Sequence, residues 1–272
     1  MNAYKFLILG TLFFVSYDGA SAMKLKGERW KRFENLFADR SDTKRMKCFE
    51  YLFNWRNPNT GNSLLHDVVQ KNDIEFVAGF IGMGWPIDGK NAEGKTPLGL
   101  ASEAKHVEVC KLLQANLNLL KFVRDDNFNG VLEALDVGAD PNIRDMGGGT
   151  SLIEAAGQGL VKIVQLLISL GACVTSRNNN GFTPLLMAAY NGLEEIVRQL
   201  LVAQAYIDCV DSENRTPLWW AACNGNIGVV RQLLAAKADT TIRDTVFQYT
   251  ALDIARKNER AAIIALLEDQ PA

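Results

Sequence analysis

Apolar residues along this chain fall into short blocks of helical spacing, separated by turns rich in Gly and Asn. From Leu193 to Val202, Ile196, Val197, Leu200 and Leu201 stand at i, i+1, i+4 and i+5. That spacing places them on one stripe, so it predicts an amphipathic helix with one covered face. Val131 to Asp140 reads as a second helix of the same kind followed by its turn, and Ile263 to Leu267 as another apolar block.

The blocks recur at a fixed period. Thr183-Pro184-Leu185 returns as Thr216-Pro217-Leu218 after 33 residues and appears one step earlier as Thr150-Ser151-Leu152. Upstream, Thr96-Pro97-Leu98 lies 33 residues after Ser63-Leu64-Leu65-His66, and Thr250-Ala251-Leu252 follows Thr216 by 34. Each register has a physical reason. Thr183 caps a helix by accepting a backbone N–H, and Pro184 fits the first helical position, where no donor is needed. Ala188 and Ala189 let two helices approach closely, and Gly192 ends the first helix before the apolar block begins. One interval breaks the period: Thr96 and Thr150 are 54 apart, twelve short of two periods. This predicts a truncated unit at 118–144 that lacks the usual turn and Thr-Pro start.

The Thr-Pro-Leu start, its 33-residue period and His66 at the following position resemble the ankyrin repeat. The resemblance covers about residues 57–270 and is most specific from Asp145 to Asp244. It implies an all-α solenoid of about six to seven helix-turn-helix repeats. The expected units are 58–90, 91–117, 118–144 (truncated), 145–177, 178–210, 211–244 and a capping unit at 245–270. Residues 23–56, with Trp30, Phe33, Leu36 and Phe37 at helical spacing, are expected to close the N-terminal end as a helical cap.

The first residues differ from the rest. Lys5, the apolar run Phe6 to Val15 and Ala20-Ser21-Ala22 read as a signal peptide at 1–22, cleaved after Ala22. Ten apolar residues are too few to span a bilayer, which takes about 20. The expected location is therefore periplasmic or secreted, with no membrane attachment of the mature form. Lys and Arg number 29 against 31 Asp and Glu, with no concentrated basic stretch, which argues against nucleic acid. The five cysteines are odd in number and scattered, unlike a disulfide framework or zinc site, and Cys110 reads as a small core residue. The two histidines, His66 and His106, have no second ligand at metal spacing, so neither a metal nor another cofactor is expected. Gly147-Gly148-Gly149 reads as a repeat turn, not a phosphate loop. Asn214-Arg215-Thr216 matches a glycosylation sequon, but Thr216 is required as a helix cap.

No nucleophile–base pairing is visible, and the expectation is a non-enzymatic, monomeric binder of another protein. The resemblance implies that partners are met by turn tips and by the groove of first helices. In this chain those positions include Phe182, Arg215 and Tyr249 at the tips, and Glu154, Gln158, Met187, Tyr190, Asn191, Trp220 and Asn224 in the groove. Trp219 stands at the signature His position and is expected in the core, whereas Trp220 is expected to be exposed. A host-directed effector is one form such an exported binder could take; alternative roles are an accessory subunit stabilising a periplasmic enzyme, or an enzyme with an unrecognised site.

Overall fold

A computed structural model describes residues 55–82, 85–145 and 147–269. The expected signal peptide and all of the N-terminal cap except its last two residues lie outside the described residues. The chain divides into two compact units, Met1–Leu113 and Gln114–Ala272. The described elements are all α-helices, apart from an isolated bridge between Arg144 and Thr150.

In the first unit, α1 (Leu64–Gln70) and α2 (Ile74–Gly82) form one hairpin, and α3 (Pro97–Glu103) begins the next. Ser63 caps α1 through a reciprocal capping box with His66. The Ser63 N–H donates to His66 Nδ1 at 3.2 Å, so the ring's own proton sits on Nε2, which donates to the Lys95 carbonyl at 3.1 Å. His66 is only 1% exposed, and burial holds its pKa below the ordinary value. His106 makes a second bond between successive hairpins, from Nδ1 to the Val69 carbonyl at 2.9 Å. Both histidines are therefore committed to structural hydrogen bonds.

Helix α4 (Val107–Arg124) is 18 residues long, twice the length of the second helices that follow. The reason lies in the shortened period. Each first helix is followed by a residue of positive φ: Asn72, Lys105, Asp126, Gly159, Gly192, Gly225 and Glu259. These are spaced 33, 21, 33, 33, 33 and 34 residues apart, so the missing twelve lie between Lys105 and Asp126. A second helix there runs directly into the next first helix, and the expected boundary between 117 and 118 falls inside α4. Val109, Leu113, Leu119 and Val123 are fully buried along it, while Cys110, expected in the core, is half-buried.

The second unit continues with α5 (Phe128–Asp136), α6 (Ser151–Gln158), α7 (Val161–Ser169), α8 (Pro184–Asn191) and α9 (Glu194–Val202). It closes with α10 (Pro217–Asn224), α11 (Ile227–Ala235), α12 (Ala251–Lys257) and α13 (Ala261–Glu268). First helices α6, α8, α10 and α12 pack in one row, and second helices α5, α7, α9, α11 and α13 in another. On α9, Ile196, Val197 and Leu200 are buried as the pattern requires, each contributing about 1.5–3 kcal/mol of burial free energy. Thr150, Thr183, Thr216 and Thr250 each accept a backbone N–H from three residues on. Such caps are worth about 1 kcal/mol apiece.

Neighbouring repeats of this unit are also joined by side-chain amides. Asn191 Nδ2 donates to the Gly157 carbonyl (3.1 Å), Asn224 to Tyr190 (2.7 Å) and Asn258 to Cys223 (3.0 Å). Each satisfies a carbonyl at the C-terminal end of the preceding first helix, where no intrahelical donor remains.

Candidate binding surface

The turns that precede α3, α6, α8 and α10 are built on an Asn or Asp five residues before the Thr cap. In the finger before α8, Asn178 Oδ1 accepts the N–H groups of Asn180 (3.0 Å) and Phe182 (2.9 Å). In the next finger Asp211 Oδ1 does the same for Glu213 (2.9 Å) and Arg215 (3.0 Å). Successive fingers are joined by backbone bonds, Asn179 N–H to Gly147 O at 2.9 Å and Ser212 N–H to Asn180 O at 3.3 Å. The approach is close enough that a Cβ on Gly181, whose φ is +78°, would stand 2.8 Å from the Ser212 nitrogen.

These fingers and helices bring Phe182, Tyr190 and Trp220 together. Ring centroids are 4.9 Å apart for Tyr190–Trp220, 5.8 Å for Phe182–Trp220 and 6.5 Å for Phe182–Tyr190. The Arg215 guanidinium lies over Trp220 at 4.3 Å from its centroid and 5.5 Å from that of Trp219. Tyr190 keeps 41% of its surface exposed, whereas Phe182 and Trp220 are half-buried. Trp219 is buried, as its register predicts. Trp220 is less open than expected because Arg215 covers its face and Trp219 meets it at 5.0 Å.

The electrostatic centre of this group is Asp211, whose side chain is 0% exposed. Its Oδ2 accepts from Arg215 Nε at 2.8 Å and from Trp220 Nε1 at 3.1 Å. Arg215 also reaches Glu213 at 2.7 Å. One guanidinium thus faces two carboxylates, one of them wholly buried, and removing it would leave a buried charge uncompensated. Asp211 was not singled out from the sequence. The signal that marks it is the Asn or Asp recurring five residues before the cap at 91, 145, 178 and 211.

The other expected positions divide. Glu154 and Gln158 lie on α6 and bond to each other at 2.7 Å. Met187 covers Gly157 so closely that a Cβ there would meet its terminal methyl at 2.8 Å. Asn191 and Asn224, expected as contact residues, are engaged in the inter-repeat amide bonds. Tyr249 stacks on Phe247 in the last finger, at 5.5 Å, with the Lys257 ammonium 4.8 and 5.1 Å from the two rings. That finger turns on Asp244. Burial alone would raise its pKa, but N–H bonds from Phe247, Tyr249 and Val246 outweigh burial and hold the carboxyl below its ordinary value.

Cys209, Asn214 and Thr216 have structural places. Cys209 contacts the Thr183 hydroxyl at 3.1 Å, and burial pushes its thiol up to about 11, which leaves it unreactive. Asn214 Nδ2 is bonded to the Arg243 carbonyl at 2.7 Å, and Thr216 is the buried cap of α10. Among the described residues, no His, Cys, Asp and Glu cluster is placed to hold a metal ion, and no helix is long and apolar enough to cross a membrane.

Two overlapping stretches, residues 119–211 and 187–271, match the family described as ankyrin repeats (3 copies). Repeats of this kind serve as protein–protein interaction modules. The match covers more than half of the 272 residues and coincides with the helix pairs, caps and stacked fingers of the second unit. The chain belongs to the ankyrin-repeat family.

Proposed function

We propose that this chain is an exported binder of another protein and that it grips its partner through the aromatic face carried by α8 and α10. The observation that carries this reading is the Phe182–Tyr190–Trp220 group with Arg215, assembled from two adjacent repeats and still presenting Tyr190 to solvent. Trp, Tyr and Arg are the side chains in which interface energy concentrates, because large planar surfaces are buried at small cost in conformational entropy. Here the rings are already packed and the cation already paired, so little ordering remains to be done on binding. The N-terminal segment supports export, which places the partner in a periplasm or outside the cell.

Affinity capture with the mature chain, run beside Tyr190→Ala and Trp220→Ala, tests the surface. A partner held by the native chain should be lost from both variants, with at least about 2 kcal/mol of weakening at a residue of this type. Equal capture by folded variants would place the surface elsewhere. The mass of the secreted product tests export separately: a chain beginning at Met23 supports it, and a cell-retained chain beginning at Met1 overturns it.

A further inference from the structure

We propose that Asp211 is the positioning residue of this surface, fixing Trp220 and Arg215 in the orientation a partner meets. The two oxygens of its carboxylate do different things. Oδ1 closes the finger by accepting two backbone N–H groups, a task that Asn178 performs equally well one repeat earlier. Oδ2 has no part in that closure and is directed at the Arg215 guanidinium and the Trp220 indole N–H. An amide suffices for the turn. Only a carboxylate offers a second acceptor to two donors on the other side.

The rest of the group depends on those two bonds. Trp220 oriented by its indole N–H presents one face to Arg215 at 4.3 Å and meets the Tyr190 ring at 4.9 Å. Without the bond the indole of a half-buried side chain is free to rotate, and Tyr190 and Phe182 lose the surface they pack on. As a role in recognition, this inference rests on the reading of the aromatic face as the partner surface.

Asp211→Asn in the full chain separates the two oxygens, because Asn keeps the turn acceptor and turns an NH2 donor toward two other donors. The expected result is unchanged far-ultraviolet helix signal with loss of the near-ultraviolet dichroism that Trp220 contributes, defined by subtraction of Trp220→Phe. Exchange of the Trp220 indole proton should rise about fivefold, the factor that one net hydrogen bond supplies. A variant that retains both the Trp220 band and the native exchange rate overturns the proposal. Should Asp211→Asn fail to fold, the native chain decides: a Trp220 indole proton exchanging as fast as a free indole overturns it, and a protected one supports it. None of these measurements needs the partner. Capture unaffected by Trp220→Ala would sink the binding surface alone, and a Trp220 signal indifferent to Asp211→Asn would sink the positioning role alone.

Discussion

Residues 91–144 and residues 178–244 are built from the same helical unit, yet it is in the second stretch that the Phe182, Tyr190, Trp220 and Arg215 side chains are brought together. In 178–244, every first helix is preceded by a finger, an Asn or Asp turn and a Thr cap. Those pieces place Phe182 and Arg215 beside Tyr190 and Trp220. In 91–144, twelve residues are missing between Lys105 and Asp126, and α4 runs straight through the position of the absent finger. Asn118 stands there in the register of Pro184 and Pro217, deep inside a continuous helix. What the finger supplies is therefore both a joint and the side chains at its tip. Where it is absent, the helix runs on from Val107 to Arg124 without a tip.

The two stretches differ most sharply at that register. Asn118→Pro should cost at least about 3 kcal/mol, because the ring removes an interior helical hydrogen bond and collides with the preceding turn. Pro184→Ala, at a first helical position that lacks an intrahelical partner, should stay within about 1 kcal/mol. Urea denaturation followed by circular dichroism measures both, and similar losses would mean that α4 is not continuous across residue 118.

A smaller effect tests the stacked fingers. Gly181→Ala places a methyl against the Ser212 backbone at positive φ and should cost about 2 kcal/mol. Gly171 has a φ of +85° with open space around its would-be methyl, so Gly171→Ala carries only the backbone strain, about 1 kcal/mol. Equal thermal destabilisation by the two variants would show that the fingers do not stack closely in solution.

The smallest effect is one of pH, and it distinguishes the first described cap from the last. The His66 pKa is lowered on folding, so the unfolded chain takes up its proton first. Stability associated with His66 is full above the unfolded value of about 6.5 and falls as the pH drops below it. The Thr250 box instead uses Asp253, whose pKa is lowered by the Thr250 N–H against the opposing effect of burial. Its contribution is present at neutral pH and is lost only as the pH falls through that depressed carboxylate value. His66→Gln should therefore flatten the decline in stability between pH 7 and 5 while leaving the more acidic loss in place. A native decline that survives the substitution would remove His66 from this role.

Much of this architecture is legible in the residues. The Thr-Pro-Leu registers located the caps, and the twelve-residue deficit between Thr96 and Thr150 located the irregular unit. The resemblance to ankyrin repeats, carried over by register, puts Phe182 and Arg215 at the tips and Trp220 in the groove. Less accessible was what happens across the deficit. A tight turn and a fused helix leave the same count of residues, and only the absence of Gly or Pro between Val107 and Arg124 points to the helix. The expected exposure of Trp220 was overstated because register fixes a backbone position but not which neighbouring side chain folds over the ring.

The sequence by itself determined the helical unit, its period and its caps, since these depend on bonds and apolar contacts between residues at most a few turns apart. Tertiary structure decided that Asn191 and Asn224 would hold carbonyls of the preceding repeat. It also decided that Asp211 would turn its second oxygen to Trp220 and Arg215. Those choices are settled only when helices and fingers from successive repeats stand close enough for one buried donor to find one acceptor. No local periodicity encodes that meeting.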